Sequence, residues 1–495
     1  MVMGLLTLGR TAAGVVLALA LAGPALATEI TIAIGSEPTT LDPQARDDGG
    51  ERAVNDNIFE TLMARTADGT LVPGLAAAEP KQIDDTTWEF TLREGITFHN
   101  GEPFDSAAVV HSVNRIIDPA FNSEQSSFFA SITGAEAVDP LTVRILTQGP
   151  DPILPSRMYW MKMVPPAYSQ TEEFASAPVG TGPYVFDSWQ RGSALTLKAN
   201  PGYWGTPPSI DAVNYRFVGE AGTRLAGLLS GQYDLITNLQ PEFVDQVPKA
   251  AHVAGLELPV VILSAISGPT QDVRVRQALN YAVDKEVLAE RLYEGYAQVS
   301  RGQLLAPTYF GYNPDVEGYP YDPDKARALL EEAGAVGAEI ELIGTAGRWL
   351  NDRDLVEVIA SFWQEVGLQP SVRIFEFNEY LNRLFDRQIR ADAIFVVSSN
   401  ELLDADRPFS AYYHMDGVGA SNHDAEMAAL IEQARTETDV AAREALYHRI
   451  VEHSFEQAYF LWLLNIEDIY GMSERLEWTP RVDAKLLVSE MSVSE

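Results

Sequence analysis

The stretch Trp88–Asp118, WEFTLREGITFHNGEPFDSAAVVHSVNRIID, changes periodicity twice in some thirty residues. Trp88, Phe90 and Leu92 alternate with polar residues, as on a half-buried strand. Glu94-Gly95 and Asn100-Gly101 supply positions that tolerate positive φ, so two short strands are expected to fold back on each other. Asp105 or Ser106 then caps a helix whose apolar stripe is Val109, Val113, Ile116 and Ile117. Nothing in this cassette is arranged for chemistry. His99 and His111 are twelve apart without a carboxylate at ligand spacing, and both read as structural.

The same mixture of elements runs outward from it. Strands are expected at Glu29–Gly35, with Ile30, Ile32 and Ile34 on one face, near Leu141 in LTVRILT, and in SALTLKAN with Leu195 and Leu197 paired. In YDPDKARALLEEAG, Asp322 caps, Pro323 takes the first helical position and Gly334 closes the end. The buried stripe there is Ala326, Leu329, Leu330 and Ala333. EIELIG (339–344), a helix through Leu355, Ile359, Trp363 and Val366, and SVRIFEF (371–377) form a β-α-β unit with parallel strands. The fold class is therefore α/β, and α/β proteins hold ligands beyond strand ends or between domains.

A chain of 495 residues exceeds what one core usually serves, so two or three domains are expected. Residues 1–27 read as a cleavable signal peptide: Arg10 is their only charge, an apolar run follows, and Ala25-Leu26-Ala27 fits the small-x-small rule. The run is short for a membrane anchor. Cysteine is absent, so neither disulfides nor a lipid-bearing cysteine is available. A free exported protein of the bacterial periplasm fits best. Without Arg10 the balance is 34 basic against 70 acidic residues, a net charge of −36. That sign repels nucleic acid and anionic membrane surfaces.

At the opening cassette the sequence resembles family 5 extracellular solute-binding proteins, the dipeptide-, oligopeptide- and nickel-binding receptors of ABC importers. Further blocks agree in order: AIGSEPTTLDPQ (33–44), VPGLAAAEP (72–80), PVGTGPYVFDSW (178–189), NPGYWG (200–205), LLSGQYDLI (228–236), DVRVRQALNYAVDKEVL (272–288) and DPDKARALLEEAG (322–334). The resemblance implies a two-lobed periplasmic-binding-protein fold of type II, cluster C-like, with an extra small domain. It implies a first lobe from 28–56, 176–266 and 466–495, a small inserted domain at 57–175, and a second lobe at 267–465. It implies, too, a receptor that closes on a short peptide or similar small polar solute and passes it unchanged to an inner-membrane ABC permease. The protein should act as a monomer without a cofactor.

Candidate contacts follow from the resemblance. Glu37, with Pro38 and Thr39 beside it, stands where relatives touch ligand main chain; otherwise it is a loop acid. Peptide-binding relatives meet the ligand's ammonium with an Asp in a W-x-x-D-type segment. Counted from Asp392, the Trp position here is Ser398 and the Asp position Glu401, with Ser399, Asp404 and Asp406 close by. An acidic group survives, but the aromatic wall does not. Tyr380 and Arg387 match an aromatic and an arginine of the cleft in oligopeptide receptors, or else face solvent. Phe128 and Phe129 either supply the small domain's contribution or pack in its core.

Two alternatives stay open. His414 and His423 suit a metal chelate or heme-like group, and a sugar or opine-type ligand is compatible with the same fold. An exported hydrolase is the competing class, but HExxH, GxSxG, SxxK and Walker motifs are missing and no Cys nucleophile exists. Close carboxylates such as Asp404 and Asp406 are unremarkable in so acidic a chain.

Overall fold

The computed structural model describes Met1 and residues 28–346, 348–385 and 391–494. The expected signal peptide and Arg387 lie outside the described residues. Among those residues no helix is long and apolar enough to cross a membrane.

Glu29–Ile34 forms a strand as its alternation requires, with Ile30, Ile32 and Ile34 buried. It is the middle of an eight-stranded sheet ordered Lys249–Ala254, Leu464–Met472, Leu235–Ile236, Glu29–Ile34, Ala212–Phe217, Ala194–Ala199 and Tyr184–Gln190. The eighth strand, Ala297–Val299, pairs with the start of Leu464–Met472. Apart from Ala297–Val299, which packs in the second lobe's core, this sheet is the first lobe.

The second lobe is a five-stranded sheet ordered Gln369–Phe375, Glu339–Thr345, Ala393–Ser399, Glu257–Leu263 and Phe460–Trp462. Glu339–Thr345 and Gln369–Phe375 pair in parallel around the helix Asp352–Glu365, the unit read from the sequence. Apolar cores lie on both faces of this sheet, with Leu258, Val260 and Ile262 on one and Val261 and Leu263 on the other.

The small domain is a four-stranded sheet, Lys81–Asp84, Thr87–Thr91, Thr142–Thr147 and Ile132–Asp139, covered by the helix Ser106–Ile117. Asp105 caps that helix, its carboxylate accepting from the amides of Ala107 and Ala108. Val109, Val113 and Ile116 are buried, and Ile117 is half-buried. Gly95 and Gly101 take φ of 79° and 88°, the left-handed values their turns demand. The expected hairpin does not form. Thr87–Thr91 pairs instead with Lys81–Asp84 and Thr142–Thr147, and the segment after Gly95 keeps one bridge, Thr97 to Pro103. With Lys81–Asp84 on one edge and Thr142–Thr147 on the other, Thr87–Thr91 has no edge left for a return strand.

Sheet membership changes near 255–256. Lys249–Ala254 belongs to the first lobe's sheet and Glu257–Leu263 to the second's. The return passage lies inside Leu464–Met472, whose Leu464 and Ile466 pack in the second lobe's core and whose Glu467–Met472 pairs with Lys249–Ala254. The two passages run side by side, Gly255 N–H donating to the Ile466 carbonyl at 2.9 Å. A Cβ on Gly255 would stand 2.7 Å from that carbonyl oxygen, so only glycine lets them approach.

The small domain is fastened to the first lobe by buried charge. Lys162 lies 3.1 Å from both Asp47 and Asp56, and Lys485 lies 3.5 Å from Asp56. Glu60 accepts from Tyr203 and from the Trp204 indole, both at 2.9 Å.

Candidate functional site

The loop after Ala393–Ser399 carries the second lobe against the other two units. Leu402 is 2% exposed and lies within the small domain's apolar core, although it belongs to the second lobe's chain. Its carbonyl accepts from Arg65 at 2.5 Å. The loop can make this plunge because Leu403 takes a left-handed φ of 52°.

Beside that contact lies a group of charges drawn from every part of the molecule. Arg52, on the first-lobe helix Gly49–Asn55, points at Glu401 across 3.7 Å and sits over the Trp160 ring at 5.3 Å. Arg407 also pairs with Glu401, and its guanidinium covers Phe128 at 4.4 Å from the ring centroid. Phe128 and Trp160 stack at 5.9 Å. Ser399 donates to Glu401 at 3.0 Å. The acidic counterparts stand on the passages between lobes. Burial, reinforced by Asp468 and opposed by Arg348 and Arg52, raises Glu257 to about 7. Burial opposed by Arg52 raises Asp468 to about 6. Neither makes an ion pair among the described residues. Arg407 is pressed down to about 10 by burial, with Arg52 adding to it, and is still a cation at neutral pH.

The seam opens into a cavity of about 950 Å³ between the small domain and the second lobe. That is large enough for a ligand of several linked residues. Phe128, Asp151 and Arg157 form one wall, and Ser398, Ser399, Asp406, Arg407, Tyr412 and Arg435 the other. Arg157 spans it, donating to Asp151 at 2.8 Å and to the Phe128 carbonyl at 2.7 Å while approaching Asp406 at 3.6 Å. Arg435 meets Asp406 from the far side at 3.5 Å.

Against this geometry the sequence candidates divide. Phe128, Ser398, Ser399 and Asp406 line the cavity, and Glu401 sits at its charged end. Glu401 is already engaged by two guanidiniums, so its carboxylate is a poor receptor for a ligand's ammonium. Its position instead orients Arg52 and Arg407. Phe129 is fully buried in the small domain's core, because a 3₁₀ turn directs adjacent side chains to different faces. Tyr380 is fully buried too, its hydroxyl donating to the Phe395 carbonyl at 2.7 Å. Asp404 is a buried strut, accepting from Tyr447 at 3.1 Å and from the Asp406 amide at 3.0 Å.

Glu37 serves its own neighbourhood. It accepts from the Trp189 indole at 3.0 Å and from the Gly192 amide at 2.9 Å, tying the first loop to a hairpin. Pro38 is buried, and Thr39 donates twice to Glu51. None of the three lines the cavity. His414 faces Glu432 at 3.1 Å and His423 is exposed; no group of three metal-ligating side chains occurs among the described residues. His99 and His111 bond to the Gly182 carbonyl and the Ser169 hydroxyl.

Residues 70–420 match the family described as bacterial extracellular solute-binding proteins, family 5 Middle, and the chain belongs to that family. The glutathione-binding protein GsiB of Shigella dysenteriae serotype 1 (strain Sd197) is 32% identical over 336 residues, covering 66% of this chain. The alignment spans 65% of that relative's length. Two solved structures share the fold. HbpA2 from Haemophilus parasuis has a TM-score of 0.84 at 22% identity, covering 94% of this chain and all of that one. The periplasmic binding protein DppA from Helicobacter pylori, in complex with the peptide STSA, has a TM-score of 0.76 at 23% identity, with 95% and 99% covered.

Proposed function

We propose that this protein is the periplasmic solute-binding receptor of an ABC importer, capturing a short peptide or similar zwitterionic solute between its lobes. The observation carrying this reading is the mixed charge at the seam: guanidiniums of Arg52 and Arg407 opposite carboxyls of Glu257 and Asp468. A zwitterion meets such a site without leaving a buried charge unpaired, which would be very costly. Its carboxylate shares the arginines with Glu401 and its ammonium goes to Glu257 and Asp468. The aromatic shelf of Phe128 and Trp160 supplies apolar contact for the side chains between. The names of GsiB and DppA, which bind glutathione and a peptide, support the same ligand class. An N-terminal signal peptide, a permease partner, release of the solute unchanged and a monomeric state complete the proposal.

Calorimetry of the mature protein with di- to pentapeptides, glutathione and a nickel–histidine chelate tests it. Saturable binding of at least one peptide or of glutathione, weakened by esterifying its carboxylate or acetylating its amine, is the expected result. Binding of the chelate alone would overturn the assignment.

A further inference from the structure

A second cavity, of about 310 Å³, shares no lining residue with the first. Leu258 and Asn465 form part of it, and they lie on Glu257–Leu263 and Leu464–Met472, the strands at the two passages between lobes. Ser300, Arg301, Leu305 and Tyr312 close the other sides.

One buried side chain here lacks what its chemistry requires, and a cation without an ion-pair partner among the described residues stands at the rim. Asn465 is 4% exposed, yet neither its Oδ1 nor its Nδ2 has a hydrogen-bond partner. A buried carboxamide open at both ends calls for a molecule that can donate and accept. Arg301 is exposed at the rim and makes no ion pair among the described residues, although the chain holds 70 acidic residues to 35 basic ones. It stands beside the phenol of Tyr312: burial raises that hydroxyl, and the Arg301 cation opposes the rise. Of the remaining walls, Leu258, Val299, Leu305, Ala306, Pro307 and Pro314 are apolar and Gln298 is polar.

We propose that this cavity is a second binding site, taking a small free carboxylic acid of about amino-acid size. The carboxylate sits on Arg301 and a hydrogen-bonding group at the other end satisfies Asn465. The volume stands at the lower end of the range of ligand pockets, which excludes the longer solutes that the larger cavity admits. An occupant touches strands from both sheets, so its binding is linked to lobe closure wherever closure reshapes the pocket.

Acetate, lactate, succinate and glutamine are the probes, titrated into the mature protein by calorimetry with Arg301→Gln and Asn465→Leu beside the wild type. At least one probe is expected to bind saturably, with affinity falling at least about tenfold in each variant, as loss of a charge-assisted or buried hydrogen bond implies. Arg301 is exposed and leucine is close in shape to asparagine, so both variants fold; circular dichroism verifies that. Failure of all four probes to bind, leaving a water-filled void, overturns the proposal. So does affinity retained in either variant.

Discussion

Replacing Leu402 by alanine isolates the contact between the second lobe and the small domain. In the form described here the side chain is 2% exposed inside the small domain's core, held by chain that belongs to the other lobe. Parting of the lobes would return it to water. Burial of a whole leucine side chain is worth about 1.5–3 kcal/mol, and alanine retains only a fraction of it. A loss of about 2 kcal/mol falls on the closed form alone, because the open form does not use the contact. A receptor that rests mostly open transmits the full loss to its ligand, so the Kd should rise about 30-fold. The melting temperature of the unliganded variant should move by less than about 2 °C. Calorimetry gives the first number, differential scanning calorimetry the second, and small-angle scattering should show less compaction at a given ligand concentration. A Kd within threefold of wild type, together with a drop of several degrees in melting temperature, would refute the reasoning. Leu402 would then be ordinary core in both forms.

Other substitutions test other parts of the site. Glu257 holds its proton up to about pH 7 when folded, against an ordinary value of 4.5, so the folded chain binds more protons across that window. Stability from this group is complete below pH 4.5 and falls as pH rises toward 7, by roughly 2 kcal/mol for a half-buried carboxyl. Glu257→Gln should therefore match or exceed wild type in urea unfolding at pH 8 and lose that advantage at pH 4; an advantage growing toward acid would contradict the sign. Glu401→Ala removes the anion that orients Arg52 and Arg407, and should weaken free and N-acetylated peptides equally, by about tenfold. A loss confined to free-amine peptides would restore the direct ammonium role. Phe129→Ala should cost about 3–5 kcal/mol of stability as a core cavity, whereas Phe128→Ala should instead lower peptide affinity at little cost in melting temperature.

The alternation at Glu29–Ile34, the cap at Asp105 and the β-α-β unit after Glu339 were all readable because each depends on neighbours within a few residues. What went unread depends on distant partners. The strand Thr87–Thr91 chose Thr142–Thr147 over its own downstream segment, a choice decided by ladder length and invisible in a local window. Glu257–Leu263, apolar on both faces, carries no mark of the sheet it joins. At the site, Phe128 and Phe129 are chemically identical neighbours separated only by the direction of a 3₁₀ turn. Tyr380 and Asp404 are buried and hydrogen-bonded within the second lobe, a placement no local window reveals. Arg52, Trp160, Arg407, Glu257 and Asp468 were not singled out, since each is an ordinary residue until tertiary folding brings the five together.

The buried lysine that bridges Asp47 and Asp56, with Lys485 beside it, has a mechanical consequence. Pulling the inserted unit away from its host would strand several charges in a dry environment, so these two pieces travel as one body. Three folding units thus reduce to two, which meet where Gly255 faces Ile466. The permease proposed as partner would then need only to sense the relative pose of two rigid parts.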